Sequence, residues 1–346
     1  MIKRSTDGKQ RVLSLSYGKD SLACLGAIEQ LGLPLDRIVH AEVWATDTIP
    51  ADLPPMVEFK AKADAIIKER WGFEVEHICA MRSQAVNVER ERESRASSAR
   101  RTYENTFYSS HFYKSDSKVT KPDKNGIYGF PCLQGAWCNS RLKVGVLSTY
   151  KTNLQRNILQ RDSCFGEDIR LPDAQRQLVY RAKNKPLHKP LSRGADKNSV
   201  IQYLGIAADE PIRIERHAKE GIELPLVQIG WEEAYCRQWC EDNDLLSPIY
   251  TSTTRGGCWF CHNQSIGQLR LLRKNYPELW QLLLKWDNDS PVSFHADGHT
   301  VHDFDRRFAL EDECLLDPLA PFRWSMLDEE LNYNLFLLEE HNDYTH

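Results

Sequence analysis

Six residues, Ser16-Tyr17-Gly18-Lys19-Asp20-Ser21, bring together the groups that hold a phosphate. Ser16 and Ser21 offer hydroxyl donors, Gly18 lets the backbone approach an anion closely, and Lys19 brings a point charge. The spacing G-x-x-x-x-G-K-[ST] is absent, so this is not a Walker-type loop. The other reading of the six residues is a solvated turn with a capping Asp or Ser. A second group with chemistry in it is Gly257-Cys258-Trp259-Phe260-Cys261. Two thiolates separated by two residues can chelate one ion from a single tight turn, and Gly256 and Gly257 make that turn flexible. Two ligands leave a tetrahedral site half filled. Cys240, Cys138 and Cys132 are the candidates for the remainder, with His262 a poorer one; two buried, unligated thiols are the alternative.

The elements around the first group are those an anion site needs. A β-like run, residues 12–15, precedes it, and a helix-like run, residues 22–28, follows. Backbone N–H groups and the positive end of the helix dipole then point at the turn. Residues 37–44 read as a second strand, 55–71 as a helix and 73–79 as a third strand. That βαβαβ pattern predicts a parallel sheet with right-handed crossovers, whose ligands bind beyond the carboxyl ends of the strands. Residues 44–48 fall at that edge, where Asp47 can meet a nucleotide base, a ribose or a magnesium ion, or simply cap its own loop.

Residues 82–128 break the pattern and read as an inserted lid, with a charged helix over 82–101. Arg90, Arg92, Arg95, Arg100 and Arg101 precede Phe107, Tyr108, Phe112 and Tyr113, a mixture suited to single-stranded nucleic acid. Glu89, Glu91, Glu93 and Glu104 dilute the charge, as on a solvated helix. Further helices are predicted over 141–154, 231–243 and 277–286, and 199–213 reads as a helix and short loop ending in Asp209-Glu210-Pro211. From residue 290 the chain reads as an irregular extension. Its His295, His299, His302, Asp297, Asp303 and Asp305 look like a solvated hairpin rather than a metal site. The domains expected are 1–230 and 231–346, the second carrying the paired cysteines.

Composition narrows the class. A chain of 346 residues with 41% apolar content builds a real core, and a net charge of −4 leaves nucleic-acid binding only to a local patch. No apolar run is long enough for a bilayer, and the first residues lack a signal-peptide core, so a cytoplasmic protein with no membrane contact is expected. Ten cysteines in a reducing compartment mean packed thiols, such as Cys24 and Cys79, or metal ligands rather than disulfides.

S-x-G-K-D-S resembles the PP-loop of the ATP pyrophosphatase superfamily, whose members grip ATP by its β,γ-phosphates and cleave between α and β. Residues 205–213, GIAADEPIR, resemble the G-x-R-x-x-E-S-x-x-R segment of phosphoadenylylsulfate (PAPS) reductases, with Ala207 in place of Arg and Pro211 near their Ser. In that family the glycine lies close to the base and the last Arg near phosphate; read without the family, Glu210 and Arg213 are an i,i+3 pair. Cys138 and Lys143 match the family's C-x-x-x-x-K, whose Lys reaches the substrate. Arg141 and Lys143 open a helix against its dipole, a cost that an anionic ligand offsets. Cys258 and Cys261 are similar to those of the phage and DNA-phosphorothioation branch, where cysteines bind a [4Fe-4S] cluster or Zn2+.

The resemblance runs from Ser16 to about Trp280. It implies a doubly wound α/β sheet of the adenine nucleotide alpha hydrolase-like type, taking ATP and Mg2+ and adenylating a substrate oxygen for sulfur transfer. Lys19, Asp20 and Lys143 would act in catalysis. Ser16, Gly18, Lys19, Ser21, Asp47, Gly205, Glu210 and Arg213 would hold the nucleotide, and Cys138, Cys240, Cys258 and Cys261 the metal. DNA or tRNA would be the acceptor and a protein the sulfur donor. One rival is a sulfonucleotide reductase, whose E-C-G-L-H segment is missing, since Cys314 lies in Asp312-Glu313-Cys314-Leu315-Leu316. Another is a non-catalytic nucleotide-binding component of a phage or defence system.

Overall fold

Alternate residues of β1 (Gln10–Ser14) enter two different apolar clusters, Val12 one and Leu13 the other. β2 (Arg37–Glu42) repeats this with Val39 and Ile38, as does β6 (Val200–Leu204) with Val200 and Ile201. Strands apolar on both faces belong to a sheet covered on both sides. The structure, a computed structural model, describes residues 2–85, 101–114, 127–132, 136–155, 199–251 and 257–327. It divides into two compact units, Met1–Tyr113 with Gly135–Trp259, and Lys114–Gln134 with Phe260–His346.

The first unit is an α/β fold on a five-stranded, all-parallel sheet of order β3-β2-β1-β6-β7, with β3 at Val75–Cys79 and β7 at Ile222–Glu223. The chain winds outward from β1 through β2 to β3, then returns to the other side of β1, so the order reverses between β1 and β6. Crevices at such a reversal are where open sheets bind ligands. α1 (Lys19–Leu31) and α2 (Pro54–Trp71) pack on the Leu13 face, joined by Leu226 of α6 (Pro225–Ile229) and by Cys236 and Cys240 of α7 (Glu233–Asp242). The Val12 face packs against Tyr150, Val146, Leu147 and Leu154 of α4 (Gly145–Gln155). Between these in sequence lie α3 (Tyr108–Phe112) and α5 (Pro211–His217).

Several sequence expectations change. Residues 200–204 are a strand, not a helix: the run Val-Ile-Gln-Tyr-Leu is β-branched and aromatic, and its register on β1 is secured by Gln202 donating to Ser14 Oγ at 2.7 Å. The ends of the predicted 82–101 helix are strands, β4 (Met81–Ala85) pairing antiparallel with β5 (Arg101–Asn105). The arginines and glutamates between them, and much of the predicted lid, lie outside the described residues. The helix predicted at 141 begins earlier, with Trp137–Asn139 and a π turn at Ser140–Val144 leading into α4. The first compact unit runs on to Trp259, and within it α7 packs so tightly on α1 that a Cβ on Gly26 would lie 2.4 Å from the Trp239 ring.

The second unit holds α8 (Ile266–Asn275), α9 (Pro277–Asp289) and α10 (Val301–Asp312). Capping boxes at Ser265/Gln268 and Thr300/Asp303 start α8 and α10. The expected irregular tail is therefore helical in part, since Val301, Phe304 and Phe308 form one buried stripe. Asp305 accepts from Arg273 and from the Trp280 indole, and His302 pairs with Asp287, so these groups hold helices together. Among the described residues no helix is long and apolar enough to cross a membrane. The nine described cysteines are free thiols, Cys24 and Cys79 buried as expected.

Candidate phosphate site

Leaving β1, the chain turns through Ser16–Gly18 into α1. Ser21 Oγ donates to the Gly18 carbonyl at 2.9 Å and accepts from the Ser16 amide at 3.1 Å and the Ser16 hydroxyl at 3.0 Å. The two serines thus tie the turn to the first helical turn. Gly18 is the N-cap and brings no side chain to the helix end. The Lys19 N–H donates instead to the Tyr250 hydroxyl at 3.2 Å.

Gly205, at the end of β6, meets this turn. A Cβ there would lie 2.6 Å from the Asp20 carbonyl oxygen and 2.6 Å from Ser21 Cα. Only a residue without a side chain lets β6 end so close to the loop. Beyond it, Glu210 accepts from the Ala207 N–H at 3.3 Å and from Arg213 Nη1 at 2.5 and 2.7 Å. Asp209 Oδ1 takes the Glu233 N–H at 3.1 Å and so places the start of α7.

Lys19 lies between two carboxylates, Asp20 at 3.2 Å and Glu233 in closer contact. Burial works against its charge, but Glu233 and Asp20 outweigh burial and raise its pKa. Burial raises the pKa of Asp20, and Lys19 offsets only part of that. Glu233 and Tyr250 were not anticipated, and no motif spacing marks either one.

Beneath the loop is a buried charged network, also unforeseen. Tyr17 is buried in a left-handed conformation (φ 56°), its hydroxyl donating to Asp64 Oδ1 at 2.5 Å and lying 3.1 Å from His77 Nε2. His77 Nε2 reaches Asp64 Oδ2 at 2.8 Å and its Nδ1 reaches Glu42 Oε2 at 3.0 Å. Both partners are carboxylates, so both ring nitrogens donate and the ring is an imidazolium. Burial opposes that charge, but Asp64 and Glu42 overcome it and raise the His77 pKa to about 9. Burial also opposes the charge on Glu42, yet the bond from His77 and the charge of Lys60 hold its pKa well below the usual range.

His40, Glu42 and His77 have ligand atoms within 4.8 Å of one another, the only such trio among the described residues. A metal does not fit them as they stand, because Lys60 supplies the cation. Its ammonium donates to His40 Nε2 at 2.9 Å, Glu42 at 3.1 Å and Asp52 at 2.5 Å. His40 Nδ1 donates to the Leu15 carbonyl at 2.8 Å, and burial, then Lys60, lowers its pKa. The sequence signal was a lysine on the buried stripe of α2, among Met56, Phe59, Ala63 and Ile67.

Cys240, expected among the metal ligands, sits between two packed helices. Cys240 is fully buried where α7 meets α1, and its thiol donates to the Lys19 carbonyl at 3.2 Å. Burial pushes its pKa up and that of Cys236 up to about 12. Cys138, in the helical turn before the π turn, and Cys258 do not form with Cys240 a trio of sulfurs within 4.8 Å. Cys261 belongs to the second unit.

Asp47 and Lys143 are the remaining candidates. Asp47 is exposed in the turn after β2, and Thr46 Oγ1, not Asp47, caps it by accepting from Ile49 N–H at 3.0 Å. Trp137, six residues before Lys143, stacks on Tyr108 at 5.0 Å, and Tyr108 N–H donates to the Trp44 carbonyl at the end of β2. Lys143 is half-buried in the π turn. Tyr108 and Phe112, expected as stacking platforms, are buried in the core instead.

No protein-family model, curated protein or solved structure matches the chain.

Proposed function

We propose that the first unit is a doubly wound, PP-loop ATP pyrophosphatase of the PAPS reductase-like branch, adenylating a substrate oxygen. The observation that carries this reading is the contact of Gly205 with the backbone of Asp20 and Ser21. Two segments almost two hundred residues apart, each resembling a family motif, meet at one helix N-terminus at the β1/β6 reversal.

In the reaction, the acceptor oxygen attacks the α-phosphorus of ATP, the bond to the bridging α,β-oxygen breaks, and pyrophosphate leaves. Ser16, Gly18, Lys19 and Ser21 hold the leaving pyrophosphate, so rate comes from positioning and charge rather than from a covalent intermediate. Lys19 must turn from Glu233 to the phosphates, a move that exchanges one anionic partner for another. Once Lys19 has turned to the phosphates, Asp20 and Glu233 would be the carboxylates to hold Mg2+, which would neutralise polyphosphate charge. Arg213 is half exposed and can leave Glu210 for a phosphate. Asp47 is proposed to meet the nucleotide, with Gly205, and Lys143 the substrate.

The adenylated oxygen would then be displaced by sulfur from a donor protein, with DNA or tRNA as the acceptor class. Zn2+ or a [4Fe-4S] cluster is proposed at Cys258 and Cys261 on the sequence motif alone, and no step above uses it. The test is pyrophosphate release from Mg-ATP with DNA or tRNA present. Release by the wild type and its loss in Lys19→Ala are expected; release unchanged in Lys19→Ala rejects the reading.

A further inference from the structure

The charged network beneath the loop has no part in the reaction just described, yet it grips the loop's central residue. Positive φ is uncommon outside glycine and a genuine outlier for a bulky side chain. Such a conformation persists only where its surroundings over-determine it. At Tyr17 they do. The phenol is held by Asp64 from α2 and His77 from β3. The ring meets His40 of β2 edge-on at 4.8 Å and faces the Lys60 ammonium at 5.4 Å.

We propose that Tyr17, Asp64 and His77 are positioning residues for the anion site: the gripped phenol holds residue 17 in its left-handed turn and so presents the backbone at Gly18 and Lys19 to the phosphates. The inference rests on reading residues 16–21 as a phosphate site. Glu42 is the hub, since it accepts from His77 and from Lys60, and Lys60 is also bound to Asp52. Charge-assisted bonds in a buried setting are short and directional, so the phenol has no second resting place. The loop therefore takes part of its geometry from α2, β2 and β3, beside the ties made by its own Ser16 and Ser21.

Binding of inorganic pyrophosphate, measured by calorimetry without magnesium, tests this. Tyr17→Phe keeps the ring and removes only the grip. A matched control exists on the opposite face of the sheet, where the Tyr150 hydroxyl donates to Glu76 Oε2 at 2.7 Å. Tyr150→Phe removes the same kind of bond far from the loop. Affinity should fall about tenfold in Tyr17→Phe, the order expected for losing one bond to a charged group, and by less than about twofold in Tyr150→Phe. Asp64→Asn, which keeps an acceptor oxygen for the phenol, should lose less affinity than Asp64→Ala, and this pair decides the matter if Tyr17→Phe does not fold.

The inference alone is overturned if Lys19→Ala loses binding while Tyr17→Phe binds as the wild type does, if Tyr150→Phe weakens binding equally, or if the two Asp64 variants are alike. If Lys19→Ala binds as well as the wild type, the phosphate reading itself fails and the inference falls with it.

Discussion

The ammonium of Lys19 rests against the carboxylate of Glu233, 214 residues further along the chain. The loop that reads as an anion site thus holds its main cation on an internal anion. Glu233 is itself placed by its backbone N–H on Asp209, in the segment that follows Gly205. The resting contact and the family-like segment are one assembly.

Glu233→Gln should therefore tighten pyrophosphate binding in the absence of magnesium. The Glu233 side chain is more than half exposed, so the competing pair is worth no more than a solvent-screened ion pair, and a gain of about two- to fivefold is expected. Calorimetric titration of wild type and variant at one ionic strength measures it. Unchanged or weaker binding would show that Lys19 does not leave Glu233 for the anion.

Gly205→Ala is expected to damage site and fold together. The new methyl would sit 2.6 Å from the Asp20 carbonyl oxygen and Ser21 Cα, both backbone atoms that cannot swing aside. Overpacking of this kind costs about 1–3 kcal/mol. Thermal melting should drop by several degrees, and pyrophosphate binding should fall further than that loss of stability explains. A variant with wild-type melting and binding would remove the closest geometric support for the site.

His77 predicts an alkaline limb of stability. Its pKa is raised to about 9 from the ordinary 6.5, so the folded state binds the proton more tightly. The stabilisation is fully present below about 6.5 and is lost as pH rises through about 9. The groups facing the ring are Glu42 and His40 from β2, Asp64 from α2 and Tyr17 from the loop, and Lys60 of α2 binds Glu42 and His40. His40, whose pKa is lowered, acts in the opposite sense on the acid side. Urea unfolding between pH 6.5 and 9.5 should show a falling stability that flattens in His77→Gln; an identical slope in both proteins would refute the assignment.

How much of this was legible in the sequence follows from the range of the forces involved. The strand–turn–helix at residues 12–28 is local, set by a short apolar run, a glycine and a helix start, and it reads directly. The neighbourhood of Gly205 was legible only through a resemblance, and even there the preceding strand was read as a helix, because five residues are too few to separate the two periods. Glu233, Tyr250 and the Tyr17–Asp64–His77 network depend on which surfaces α2 and α7 present after packing, and no spacing encodes that. Cysteines raise the same question, since Cys240 has the chemistry of a ligand and its burial between α1 and α7 is not encoded in its spacing.

That last distinction is itself testable. Cys240 fills the α1/α7 contact and donates to the Lys19 carbonyl, with its pKa pushed up by burial, so it is a small buried side chain rather than a thiolate. Cys240→Ala should lose that weak bond and leave a small void, costing about 1 kcal/mol and a few degrees of melting temperature. Metal content, measured by elemental analysis after anaerobic purification, should be the same as in the wild type. The Lys19 backbone would lose one tether, so pyrophosphate binding should weaken slightly. A variant that loses bound zinc or iron would put Cys240 back among the ligands, and would require α7 to move off α1 to free its sulfur.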